Sequence, residues 1–203
     1  MVASGSVRRA SAARKAVIVL PLLAALLSGC GTATKNDTFD LSAINKAEGP
    51  SAHGKQILIP QPTALGALDR EQIVVRVTSS QIQYLAKAQW SDRLTRMVQA
   101  KFVTAFENSH EVGGVGVPGQ GLAIDYQVVT DIRSFEIDVA RHVAVVEISA
   151  KILNDRNGTV VAQNVFRKTS PLGGNGNEDY IHALDRTFAA VTGDLVAWTL
   201  HAI

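Results

Sequence analysis

The sequence predicts an α+β domain, a largely antiparallel sheet packed by two long helices, as a single domain behind a cleaved leader. Three observations carry that expectation. Apolar residues recur at spacings of three and four in two stretches, one near 94–106 and one near 181–198. Period-two alternation rich in β-branched residues fills much of the rest. Asn154-Asp155-Arg156-Asn157-Gly158 is a hairpin turn, with Gly158 available for a positive φ, so the strands on either side run antiparallel.

Taken in order, Thr38–Ile44 reads as a first strand, broken by Gly49-Pro50-Ser51. Gln56–Pro60 reads as a second, and the segment PTALGALD that begins at Pro62 as an irregular turn. Gln72–Thr78 and Gln81–Leu85, separated by Ser79-Ser80, form a hairpin. The period then changes. Leu94, Met97, Val98, Phe102, Ala105 and Phe106 share one helical face from about Asp92 to Asn108. Ser91 is the expected N-cap, Asp92 lies in the first turn, and Arg93, Arg96, Gln99 and Glu107 face away. That stripe is read as core packing against a sheet.

From Ile124 to Arg167 the pattern is strand again. Ile124, Tyr126, Val128 and Ile132 share one parity, whereas Phe135, Ile137 and Val139 share the other. Both halves face one core only if a β-bulge sits near Arg133-Ser134. His142–Leu153 places Ala144, Val146, Ile148, Ala150 and Ile152 on one side and Glu147, Ser149 and Lys151 on the other. A return strand runs from about Thr159 to Lys168. After the glycine-rich residues 173–177, a second helix spans about Glu178 to His201, with Ile181, Leu184, Phe188, Val191, Leu195 and Trp198 on its stripe. Glu178 and Asp179 suit its N-terminal dipole end. Gly193 inside it costs roughly 1 kcal/mol against alanine.

The N-terminus reads as an export and anchoring device. Arg8, Arg9, Arg14 and Lys15 precede twelve apolar residues, Ala16–Leu27, and no acidic residue occurs before Asp37. A basic start, a short apolar middle and small residues before a cut point describe a secretory signal peptide. The apolar run is too short to span a bilayer, which takes about 20 residues. Leu27-Ser28-Gly29-Cys30 resembles the lipobox of bacterial lipoproteins, which implies cleavage between Gly29 and Cys30 and a diacylglycerol and N-acyl lipid on Cys30. Cys30 is the sole cysteine, so no internal disulfide competes for it. The expected organisation is therefore signal peptide 1–29, lipidated cysteine and tether 30–37, and folded domain 38–203. Gly31 rather than aspartate follows the cysteine, and the sorting rule this resembles then favours the outer membrane.

Charge removes one class of partner. The leader holds four of the twenty Lys and Arg and none of the eighteen Asp and Glu, so the remainder carries a net −2. No basic footprint for nucleic acid survives cleavage. Catalytic patterns are thin as well. Gly114-Val115-Gly116-Val117-Pro118-Gly119 matches GxGxxG, yet it follows a helix and leads into a strand, and Pro118 lacks an amide; it reads as a mobile surface loop. His53, His110, His142, His182 and His201 are scattered, and the three-residue spacing of Asp179, His182 and Asp185 spreads them over a helix surface. Neither a metal site nor a nucleophile–base pair emerges, so no enzyme is expected.

Two further stretches go beyond pattern. The first joins Ile57-Leu58-Ile59-Pro60-Gln61-Pro62 and Gln72-Ile73-Val74-Val75-Arg76 to Tyr84 and Trp90-Ser91-Asp92-Arg93-Leu94. The second joins Asp125-Tyr126-Gln127-Val128 and Asp131–Phe135 to Val146–Ile152. Together they resemble the ABC-type transport auxiliary lipoprotein family, which includes the lipoprotein of the Pqi system. The resemblance implies an accessory of an intermembrane transport system for lipids or hydrophobic compounds, with an MCE-domain protein as partner and a homo-oligomeric ring as a further possibility. It implies no catalytic residue. Candidate contacts are the segments Tyr84–Trp90, Val112–Gly121 and Leu172–Asn177, with Tyr84 and Trp90 foremost because aromatics concentrate in binding hot spots. Plain packing of both rings at the head of the first helix is the alternative. A structural or assembly lipoprotein of another outer-membrane complex fits the same domain order.

Overall fold

The computed structural model describes residues 35–44 and 48–203. Ser28, Gly29 and Cys30, and with them the cleavage and lipidation expectations, lie outside the described residues. Residues 36–203 form one compact unit. Its elements are β1 (Asp37–Phe39), β2 (Ala52–Leu58), β3 (Thr63–Ala64), β4 (Gln72–Arg76), β5 (Ile82–Trp90), α1 (Leu94–Ser109), β6 (Val112–Gly116), β7 (Tyr126–Asp138), β8 (Val143–Asn154), β9 (Val160–Pro171) and α2 (Asn177–Ala202).

β7 is the spine of the sheet. Along one edge it pairs antiparallel with β8 over its whole length, and β8 pairs antiparallel with β9. Along its other edge three short strands dock in succession, all parallel to it: β2 at Tyr126 and Gln127, β3 at Asp131 and Ile132, and β4 at Glu136–Asp138. β6 adds in parallel to β2, and β5 adds antiparallel to β4 before β1 closes that side in parallel. The long ladders are antiparallel, as the alternation requires. The parallel docking of β2, β3 and β4 was not anticipated, because no local turn signals it.

The expected bulge is present. Ile132 pairs with Ile148 and Ser134 with Glu147, which leaves Arg133 as the extra residue. Val128, Ile132, Phe135 and Ile137 are thereby all fully buried. Both helices lie on that buried face. Trp90 meets Phe135 edge-on at 5.8 Å, Phe135 meets Phe188 of α2 at 5.7 Å, and Phe188 stacks on Phe102 of α1 at 5.8 Å. One aromatic chain thus ties the β5 edge to both helices. α2 also buries Thr187, Thr192 and Thr199, whose hydroxyls donate to the carbonyls four residues back at 2.6, 2.9 and 2.8 Å. That satisfies each buried hydroxyl within its own helix.

Several boundaries differ from expectation. β1 is three residues long, and Leu41 beyond it is buried without pairing. β2 begins at Ala52 and two residues of the supposed turn, Thr63 and Ala64, form β3. α1 is capped at Arg93, not Ser91; the Ser91 hydroxyl donates to Met97 Sδ instead. At its other end His110 takes the left-handed conformation, φ 58°, and its N–H donates to Glu107 O. Val112–Gly116, expected as loop, is strand β6. Glycine makes that possible: a Cβ on Gly113 would stand 2.2 Å from His53 O of the neighbouring strand. In α2, by contrast, a Cβ on Gly193 would meet nothing within 4 Å. Gly193→Ala is therefore expected to stabilise the fold by about 0.5–1 kcal/mol, read as an upward shift of the urea midpoint.

Candidate functional site

With both helices on one side, the other side of the β7–β8–β9 sheet stays uncovered. The sequence builds it from the alternate positions. β8 contributes Glu147, Ser149 and Lys151, which pair with Arg167, Val165 and Gln163 of β9. β7 contributes Asp131 opposite Ser149, and the bulge releases Arg133 into the same neighbourhood.

The charges on this face form a ladder. Glu147 is held by Arg167 and lies 3.9 Å from Arg133, which in turn lies 3.8 Å from Asp131. Asp131 accepts from the Thr63 hydroxyl at 2.7 Å. Exposed pairs of this kind contribute little to stability individually, about 0–1 kcal/mol. Their effect is to keep a broad face charged and water-compatible. Lys151, exposed, has no ion-pair partner among the described residues. Two shallow grooves of about 340 and 290 Å³ flank Arg133; both are lined by Arg133, Ser149 and Lys151. Towards β9 the face turns apolar: Val160, Val161 and Val165 are 52, 44 and 45% exposed. β9 is also an edge strand. In this register the Val165 N–H points away from β8, and it is taken by Asn164 Oδ1 at 2.9 Å. A blocked edge amide is a common guard against strand addition.

Near the β4–β7 end the charges are buried and tightly paired. Arg76 donates from Nε and a terminal nitrogen to the two oxygens of Glu136 at 2.6 and 2.8 Å. That bond raises the guanidinium above its ordinary pKa against the opposing effect of burial. Asp138 accepts from the Arg141 N–H at 2.9 Å and from its guanidinium at 2.7 Å. Burial pushes the Asp138 carboxyl up, but the Arg141 bonds and the Arg76 charge outweigh it and hold the group below the ordinary carboxylate range. A folded-state pKa below the unfolded one means that the folded chain binds fewer protons. Asp138 therefore contributes stability that is complete above the unfolded carboxylate pKa, about 4, and is lost as pH falls through the lower folded value. In urea titrations between pH 2 and 7, Asp138→Asn is expected to be less stable than the parent at neutral pH and to converge on it in acid.

The expected contact residues separate. Tyr84 lies on β5, 39% exposed, with the Arg70 guanidinium 5.2 Å from its ring centre. Trp90 is only 1% exposed. Its ring completes the core beside Phe135, so it offers nothing to a partner; packing, the alternative reading, is what the fold uses it for. Tyr84–Trp90 is strand throughout, the first half of Val112–Gly121 is strand, and Leu172 is buried. Gly114 and Gly116 of the glycine motif pair with Gln56 and Leu58, so this is no phosphate loop. Asp179 accepts from the Gly176 N–H and Asp185 from the Ser42 N–H, two separate structural duties. No group of three or more metal-ligating side chains occurs among the described residues. None of their helices is long and apolar enough to cross a membrane. Sequence reasoning missed Arg133 and the β9 valines as surface features. The signal for Arg133 was the phase slip itself, which ejects one residue from the alternation.

The family described as the ABC-type transport auxiliary lipoprotein component matches residues 39–196. The crystal structure of protein XCC0632 from Xanthomonas campestris superposes with a TM-score of 0.74 at 27% identity, over 82% of this chain and 96% of that one. A second crystal structure, of an uncharacterized protein, gives 0.66 at 13% identity, over 81% of this chain and 99% of that one, and shows the fold alone. The uncharacterized protein bll6063 of Bradyrhizobium diazoefficiens is 29% identical over 181 residues, 87% of this chain and 48% of the relative. The chain thus spans about half the length of that curated relative.

Proposed function

The chain belongs to the ABC-type transport auxiliary lipoprotein family, and on that premise we propose that it is a lipid-anchored, non-catalytic accessory of an ABC/MCE-type intermembrane transport system. In this reading acyl chains on Cys30 hold the domain to the periplasmic face of the outer membrane. The domain docks an MCE-domain protein there, and the cargo is a lipid or another hydrophobic compound.

The observation that carries the reading is the extent of the family match, which takes in the folded domain from Phe39 into α2. The surface is consistent with docking. Its buried carboxylates are neutralised by arginine, and its open sheet face combines a charged ladder with the exposed valines of β9. Interfaces of moderate affinity have this mixture of an apolar patch and a polar surround. A tether also raises the local concentration of the docked partner at the membrane without any new contact.

The test is capture of the tagged full chain from detergent-solubilised envelopes, followed by mass spectrometry of proteins and of the N-terminal peptide. The expected result is an MCE-domain protein enriched with the chain and a glyceryl-lipid mass on Cys30. Intact chain that brings down no MCE-domain protein would overturn the partner. A Cys30→Ser chain that stays in the sedimenting envelope fraction as the parent does would overturn the anchor.

A further inference from the structure

The topology also says which end of the domain meets the bilayer, given the reading of Cys30 as lipidated, on which this inference rests. Asp37 pairs with Ala88 and Phe39 with Trp90, parallel to β5. β5 starts at Ile82, beside the end of β4, so β1 runs away from that end and Asp37 is its residue nearest to it. Three loops cluster there: 77–81 between β4 and β5, 139–142 between β7 and β8, and 172–176 between β9 and α2.

Reach decides between the two ends. Gln72 pairs with Gln89, next to Ala88, and β4 ends four residues further at Arg76, roughly 13 Å along the strand. Cys30 lies seven residues before Asp37, a span of roughly 23–25 Å when fully extended. That clears the loop end. The opposite end, with the turn at 155–159, is at the level of Tyr126 and its partner Asn154, seven ladder steps from Ser134 because Arg133 is the bulge residue. Ser134 lies two residues before the Val74 partner Glu136, which puts it level with Gln72. Asp37, paired with Ala88, stands one step further off, so the distance is eight steps, roughly 27 Å, and the chain would first have to reverse direction. The tether is too short for that.

The composition of the two ends agrees. The three loops read VTSSQ, VARH and LGGNG, with Arg141 and His142 the ionisable groups and no carboxylate. The nearest carboxylates are occupied: Asp138 by Arg141, and Asp179 by the Gly176 N–H, with exposed Glu178 opening the helix behind the third loop. Val139 is 38% exposed at the tip. A groove of about 300 Å³, lined in part by Val77, Ser79, Ala140 and Arg141, opens between the first two loops. The opposite end carries Glu111, Asp125 and Asp155 as well as Lys55, His110 and Arg156, which pairs with Asp125, so it holds three carboxylates where the loop end holds none. Phosphate-bearing headgroups repel carboxylates and tolerate small polar, apolar and cationic side chains. We propose that loops 77–81, 139–142 and 172–176 rest on the phospholipid surface that receives the Cys30 lipid, which turns the β8–β9 turn and the β2–β6 end away from the membrane.

Because Cys30 is the sole cysteine and its sulfur is consumed by lipid, one engineered cysteine provides one labelling site. The full chain bearing Ser79→Cys, Ala140→Cys, Ser51→Cys or Arg156→Cys is purified lipidated, labelled with a fluorophore and reconstituted in phospholipid vesicles containing lipids brominated near the headgroup. The expected result is quenching at 79 and 140 several-fold greater than at 51 and 156. Equal quenching at both ends, or stronger quenching at 51 and 156, would overturn the orientation. The mass of the N-terminal peptide is read on the same samples. An unmodified Cys30 retires the anchor and the orientation together, whereas a lipidated Cys30 with the wrong quenching pattern retires the orientation alone.

Discussion

Trp90→Ala is expected to lower the unfolding free energy by about 3–5 kcal/mol, the usual cost of removing a buried large aromatic. The indole is 1% exposed and packs edge-on against Phe135, which passes the contact on to Phe188 and Phe102. Removing it opens a cavity where β1, β5 and the start of β4 meet, since Phe39 pairs with Trp90 and the Trp90 backbone N–H donates to Glu71 O. A domain of this size has about 5–15 kcal/mol in total, so the variant is expected to unfold at a much lower urea concentration with an unchanged slope. Trp90→Phe keeps most of the packing and is expected to lose less. It also separates the two roles weighed for this residue: a folded Trp90→Phe chain should capture its partner as the parent does, because the ring does not reach the surface.

The second large effect is expected from Arg76→Ala, at about 3 kcal/mol. The Glu136 side chain is 5% exposed, and Arg76 supplies both of its hydrogen bonds from a position 30% exposed. Taking away the arginine leaves a buried carboxylate without its counter-charge, the costly way to break such a pair. Taking away the acid is less severe, because the guanidinium is near enough to the surface to turn to water. Glu136→Gln is expected to cost about 1–2 kcal/mol, in the range of one charged hydrogen bond.

Much of this architecture was legible wherever the physical cause is local. The stripes of both helices, the turn at 154–158 and the bulge at Arg133 follow from spacing, because each is set by a handful of neighbouring residues. What escaped depends on distant partners. β6 is the sequence VGGVG, poor in strand-forming side chains, and it exists because glycine lets it approach β2 closely. The parallel docking of β2, β3 and β4 is set by β7 and by nothing near them in sequence. Trp90 is a similar case. Its position beside a helix start suits an exposed anchor or a core residue equally, and the contact with Phe135 of β7, distant in sequence, decides the matter. The open face was half visible in the alternation of Glu147, Ser149 and Lys151, whereas Arg133 joins it through the bulge alone.

The dependence of three early strands on one late strand bears on how the chain acquires its shape. Gln56 and Asp125, which bond where β2 meets β7, stand 69 residues apart, and Arg76 and Glu136, where β4 meets it, stand 60 apart. As a chain emerges vectorially, β4 can meet β5 and β2 can meet β6, but neither pair joins the main sheet until β7 has followed them. Such non-local closure belongs to slow folders, in the range of about milliseconds to seconds. For the exported lipoprotein proposed above, that delay keeps the complete sheet from closing before the trailing half of the chain has crossed the inner membrane.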